Sequence, residues 1–253
     1  MATIVSERRP ARLGRNVRAH ATIRSIRRTL LLATTLVTAF AWAQELAKAP
    51  IDISKEPHHT LLFENPSVRV FRLKLHPNEA TVTHRHSNFY AFVSLQPVNI
   101  SNEVRGRQPI STHLDAGEVR TSKGGFSLAE RNISSVPAEL IVVESLKSDS
   151  SGFSEPMAFR FHDSAQGELF ESGAVRAYDM IMAVGGRTEK HKESYDRLLI
   201  ALSDVDLHEE TEGQPPSETK MRAGEVLWIA RGLTHATTNV GLTAAHFIVL
   251  EFN

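Results

Sequence analysis

The sequence predicts an all-β chain of two tandem barrels or sandwiches behind an N-terminal export segment. Three observations predict it. Short apolar or alternating runs recur between Pro, Gly and Asp clusters, no stretch after residue 43 carries a helical period, and the second half repeats the first at one fixed spacing. Many short strands without helices close into sandwiches or barrels. With 253 residues, 41% of them hydrophobic, the chain can bury one large core or two of ordinary size.

Taken in order, residues 1–43 read as a signal peptide. Arg27 and Arg28 precede an uncharged run from Thr29 to Ala43, and Ala41 and Ala43 flank Trp42 as an A-x-A-like cleavage site before Gln44. The apolar run is shorter than the roughly 20 residues of a membrane span. The same arginines fit the twin-arginine pattern loosely. The expectation is therefore a periplasmic or secreted protein, with no membrane association after cleavage. Cleavage removes eight arginines and one glutamate from 29 basic and 29 acidic residues, leaving 21 and 28, a net charge near −7. Such a surface is a poor match for nucleic acid. The absence of cysteine excludes disulfides, thiol chemistry and Cys-ligated zinc.

Residues 44–60, with Pro50, Pro57, His58 and His59, form a lead-in that could lie across a sheet edge, its histidines at the surface. The repeat follows. LFENPSVRVFRLKL from Leu62 pairs with LFESGAVRAYDMIM from Leu169, an offset of 107 that also pairs His84 with His191, AGEV at Ala116 with AGEV at Ala223, and Asn132 with Asn239. Roughly 25 of 83 ungapped pairs are identical, so the chain is an internal duplication. FRLKL alternates as a half-buried strand, whereas LLIAL and FIVL suit strands covered on both faces. The expected divisions are a first barrel over 61–146, a Ser-rich linker over 147–166 and a second barrel over 167–253.

The residues of the repeat resemble those of the cupin superfamily, whose motifs resemble G-x5-H-x-H-x3,4-E-x6-G and G-x5-P-x-G-x2-H-x3-N. Gly224, Gly232, His235 and Asn239 match the second motif at every spacing, with Ala230 in the proline slot, and His84 and His86 match the first. The resemblance implies two double-stranded β-helix (jelly-roll) barrels, a bicupin. It further implies metal ligands at the motif histidines and glutamate, and here the sequence departs in both copies. In the first copy Tyr90 stands in the glutamate slot and Leu128 in the last histidine slot; in the second, Glu193 replaces a histidine and Arg197 sits near the glutamate slot, while His191 and His235 remain.

Side chains two apart on a strand share a face, so His191 and Glu193 project together and His235 on a paired strand can join them. Two imidazoles and a carboxylate suit non-haem iron or manganese, with zinc as the alternative. Arg197 either neutralises Glu193 or holds a substrate carboxylate bidentately, and Asp196 is a substitute ligand. His84, His86 and Tyr90 form a second, degenerate site. The expected function is a metal-dependent oxidoreductase of dioxygenase type, or an isomerase, acting on a small organic molecule. The alternative is a non-catalytic protein binding a sugar or carboxylate, and a homodimer is compatible with either. HEETEG from His208 reads as a solvated loop, Trp228 and Phe247 as core, and the triplets at Asn99 and Asn132 fit glycosylation acceptors, with Asn132 better explained as structural.

Overall fold

Alternation along the repeat is realised as nineteen strands among the described residues, which in this computed structural model are 49–147, 161–173 and 175–253. The expected signal segment, the first residues of the lead-in and linker residues 148–160 lie outside them. The first copy comprises β1 (Ile51–Asp52), β2 (His59–Glu64), β3 (Val68–Leu75), β4 (His84–His86), β5 (Tyr90–Ser94), β6 (Val98–Val104), β7 (Ile110–Leu114), β8 (Val119–Ser122), β9 (Phe126–Asn132) and β10 (Ala138–Ser145). The second comprises β11 (Phe161–Ser172), β12 (Val175–Thr188), β13 (His191–Lys192), β14 (Asp196–Ala201), β15 (Val205–Thr211), β16 (Ser217–Met221), β17 (Val226–Ile229), β18 (Thr234–Asn239) and β19 (Ala245–Phe252). One 3-10 turn, Ile53–Lys55, is the sole helical element among the described residues, and Asp52 caps it by accepting from Ser54 N (3.0 Å). No helix among them is long and apolar enough to cross a membrane.

The first copy is a sandwich of two five-stranded sheets, β1-β4-β9-β6-β7 and β2-β3-β10-β5-β8. The second is one nine-stranded sheet, nearly closed as a barrel, because the 14-residue β12 pairs with β19 along its first part and with β18 at Arg187. The lead-in covers an edge as expected: β1 lies parallel to β4, with Ile51 opposite His84.

The continuous apolar runs have a simple cause, since their strands are covered on both faces. On β10, Leu140 and Val142 point into the sandwich while Ile141 and Val143 point at the second copy. On β19, Phe247 and Val249 fill the barrel while Ile248 and Leu250 meet Ile141 and Val143 in one inter-copy core. That core is pseudo-symmetric, like the sequence. Gly117 and Gly224, the repeated AGEV glycines, both take positive φ (77° and 83°). A Cβ at Gly117 would stand 2.8 Å from Leu202 Cδ1, and one at Gly224 2.8 Å from Leu95 Cδ1, where Leu95 and Leu202 are themselves repeat partners. Only glycine permits both the turn and this approach.

The motif asparagines are structural. Asn132 Nδ2 donates to Leu75 O (3.1 Å) and Val136 O (2.7 Å), and Asn239 Nδ2 donates to Met182 O (3.0 Å) and Thr243 O (2.9 Å). Both residues are fully buried, which removes Asn132 as a glycosylation acceptor. HEETEG is a correction: His208–Thr211 belong to β15, paired with both β16 and β18. Its acidic composition hides a strand because its neighbours carry the burial. Phe247 is core as expected, and Trp228 packs half-buried against the inter-copy core.

Candidate metal centres

In the second copy β13 runs antiparallel to β18 and places His191 opposite His235. Glu193 lies just past β13, yet its N–H donates to Leu233 O (2.8 Å) and its carbonyl accepts from Gly232 N (2.7 Å), continuing the ladder. The motif glycine Gly232, at φ 85°, makes the turn that allows this. Glu193 is thus held on the same face as His191 and is 2% exposed, while its neighbour Lys192 faces solvent.

Three groups converge on Glu193. His235 Nε2 lies 2.9 Å and His191 Nε2 3.3 Å from Oε1, and Arg197 Nη1 lies 2.8 Å from the carboxylate. Each imidazole is oriented from behind: His191 Nδ1 donates to Glu189 O (2.8 Å), and His235 Nδ1 meets Glu209 Oε2 (3.1 Å), which also accepts from Thr237 Oγ1. Donors about 2.1 Å from one ion stand roughly 3.0–3.5 Å apart at octahedral or tetrahedral angles, so this set fits a divalent ion. Burial alone would lower His235, but hydrogen bonds to Glu193 and Glu209 push it up to about 9. Burial would likewise raise Glu193, but His191, His235 and Arg197 hold it down at about 2.

Arg197 answers the alternative left open by the sequence. Its Nε donates to Glu251 Oε1 (2.6 Å) and its Nη1 to Glu193, at 6% exposure, so its fork is occupied by two carboxylates rather than turned to a substrate. Glu251 lies between Arg197 on β14 and Arg176 on β12, directly opposite both, and pairs with each. Asp196 faces away, accepting from Arg231 N (2.9 Å), because neighbours on a strand alternate faces; it is not a ligand. The triad floors a cavity of about 30 Å³ walled by Met180, Met182, Leu207, Ile229, Phe247 and Val249. That is space for an ion or one or two waters.

The first copy gathers a different set. His84 and His86 are fully buried on β4 with Nε2 atoms 3.0 Å apart. Tyr90 lies beside them: its ring stacks on His86 at 4.0 Å, and burial pushes its phenol far above the usual range, which disfavours the phenolate. Leu128 lies opposite His84, where His235 lies opposite His191. Two residues further along β9, on the same face, Glu130 brings Oε2 to 3.7 Å from His84 Nε2. His59, expected at the surface, is 5% exposed and brings Nε2 to 3.9 Å from the same oxygen. Burial, then the neighbouring imidazoles, hold His86 down at about 2, and burial lowers His84 as well. Opposite Glu144 stand Arg69 on β3 and Tyr90 on β5, so this carboxylate has one arginine where Glu251 has two, and burial raises it.

The sequence reasoning missed Glu209, Glu130, His59 and the paired Arg69–Glu144 and Arg176–Glu251 bridges. The bridges had a signal: both residues repeat at the offset of 107.

With this geometry the chain has the cupin fold, in two β-sandwich or barrel regions. It is similar in structure to salicylate 1,2-dioxygenase from Pseudoaminobacter salicylatoxidans in its adduct with gentisate (TM-score 0.57, 12% identity, covering 87% of this chain and 79% of that one). It is similar also to AerE from Microcystis aeruginosa (0.56, 12%, 78% and 98%) and to a cupin 2 conserved barrel domain protein from Leptotrichia buccalis (0.51, 13%, 79% and 91%). Identities this low carry the fold alone. No family model matches the sequence, and no curated protein sequence does.

Proposed function

We propose that the protein is an exported, mononuclear metal-dependent oxidoreductase of dioxygenase type acting on a small organic molecule, with isomerisation as the next choice of chemistry. Its ion is held in the second barrel by His191, Glu193 and His235. The observation that carries this reading is the approach of two pre-oriented imidazole nitrogens to one buried carboxylate oxygen, at 2.9 and 3.3 Å, inside an apolar cavity. Export rests on the character of residues 1–43, and the dioxygenase chemistry on likeness to a fold that hosts many functions.

An iron or manganese ion there would supply Lewis acidity and redox chemistry at open coordination positions. The chain's own residues do the rest. Glu189 and Glu209 fix the two imidazoles, as outer partners of metal ligands commonly do. Arg197 sets the charge of Glu193 without occupying the cavity, and the apolar walls exclude bulk water. An organic substrate is larger than the cavity, so its entry requires the walls to repack. Met180 and Met182, unbranched and adaptable, are the side chains suited to that.

The occupied fork of Arg197 favours a second reading, a non-catalytic protein whose buried ion-pair network holds the barrel without metal. Elemental analysis of protein purified without added metal separates the two. The enzyme reading expects iron or manganese in the wild type and about one equivalent less in His235→Ala. Equal metal content in the two proteins refutes the site.

A further inference from the structure

We infer that the first copy holds an ion of its own, a first-row divalent transition metal bound by His59, His84 and Glu130. Two of these donors lie outside the slots of the cupin motifs, and the inference does not depend on the second barrel's site.

The convergence of three buried side chains carries the argument. His59 Nδ1 lies 2.8 Å from Glu56 Oε2, and His84 Nδ1 lies 3.0 Å from Val82 O. A carbonyl or carboxylate can only accept, so each Nδ1 donates outward, and His59, His84 and Glu130 offer inner donor atoms that all lie within 4.8 Å of one another. Facing the two imidazoles is Glu130 Oε2, 3.7 and 3.9 Å away. Neither that oxygen nor His59 Nε2 has a hydrogen-bond partner, although both are buried. A buried carboxylate oxygen and a buried imidazole nitrogen left in this way forgo the bonds that water would have given them. One proton on His86 Nε2 can satisfy His84 at 3.0 Å, but it leaves His59 and Glu130 as they were. One cation among His59, His84 and Glu130 satisfies all three.

The dimensions agree. The separations of 3.7 and 3.9 Å from Glu130 exceed the roughly 3.0–3.5 Å expected of neighbouring ligands by a few tenths of an ångström, which is the shift that closing on an ion takes. The outer support is in place. Glu56, 2% exposed, orients His59 and is itself fixed by His58 N (2.7 Å) and Val82 N (3.1 Å), the carboxylate–histidine arrangement that steadies metal ligands. Two imidazoles with one carboxylate select zinc, iron, cobalt or nickel over magnesium or calcium, which take oxygen. Because His59 comes from β2, the ion would also tie the lead-in to the sandwich.

The test uses full-length His235→Ala protein, stripped with chelator and titrated with Co²⁺, followed by visible absorption and by equilibrium dialysis. One equivalent of Co²⁺ with the absorption of a nitrogen-ligated ion is expected. Adding His59→Ala or Glu130→Gln should abolish binding in the same concentration range, and adding the isosteric Glu56→Gln should weaken it about 10–100-fold. Circular dichroism melts identify any variant that fails to fold, and Glu56→Gln decides the matter if both others do. No Co²⁺ in the His235→Ala protein, or affinity unchanged by all three substitutions, overturns the inference. Failure of the second barrel's site shows separately, as equal Co²⁺ uptake by wild type and His235→Ala.

Discussion

The two copies share strands, asparagines and a cross-strand arginine–glutamate pair, yet their interiors carry opposite protonation. In the first, His84 and His86 are held neutral; in the second, His235 is pushed up to about 9 beside a Glu193 held near 2. Three differences at repeat-equivalent positions underlie this contrast: Tyr90 corresponds to Arg197, His86 to Glu193 and Leu128 to His235. The added arginine pairs with the added carboxylate, and that carboxylate then retains a proton on His235. A duplicated fold thus tolerates either polarity in its core, provided that the charges arrive in compensating pairs.

Breaking the pair in one copy should cost the most. Arg197→Met removes the arginine from buried Glu193 and one of the two arginines from buried Glu251, and should lower unfolding free energy by about 3 kcal/mol, whereas Tyr90→Phe at the equivalent position should cost about 1 kcal/mol; urea denaturation compares them. Next comes pH, followed on metal-free protein by thermal melts. His84 and His86 have folded values below the ordinary 6.5, so their contribution is present above pH 6.5 and is lost as pH falls below it. His235, facing Glu193, Glu209 and His191, is raised, so its contribution is present below pH 6.5 and is lost as pH rises through about 9. His86→Gln should flatten the acid limb and His235→Gln the alkaline one.

Where the copies agree, effects should match. Asn132→Ala and Asn239→Ala each free buried carbonyls and should cost similar amounts, about 1–3 kcal/mol, by the same denaturation measurement. The smallest expected effect is Glu209→Gln, which loosens His235 from behind. It should weaken metal binding about 10–100-fold in the second barrel alone, leaving the first copy's affinity unchanged in a Co²⁺ titration.

The sequence made the fold legible because a repeat of 107 residues, strand-length apolar runs and motif glycines all point the same way. The second barrel's triad was legible for the same reason: His191 and Glu193 are two apart, and His235 lies on the paired strand. What escaped was whatever depends on where non-neighbouring strands meet. His59 reaches the first copy's interior only through the pairing of β2 with β3, and Glu130 substitutes for the Leu128 slot from one alternation further along β9. Glu209 sits in an acidic run whose composition suggests solvent, while its pairing across β15 and β18 turns alternate residues inward.

The most direct measurement is an anomalous difference map from a crystal soaked in Mn²⁺ or Co²⁺. The account predicts two peaks per chain, one about 2.1 Å from His191, Glu193 and His235 and one among His59, His84 and Glu130. Peaks confined to exposed histidines such as His113, or none at all, would contradict it and leave a doubled cupin fold stabilised by buried ion pairs alone.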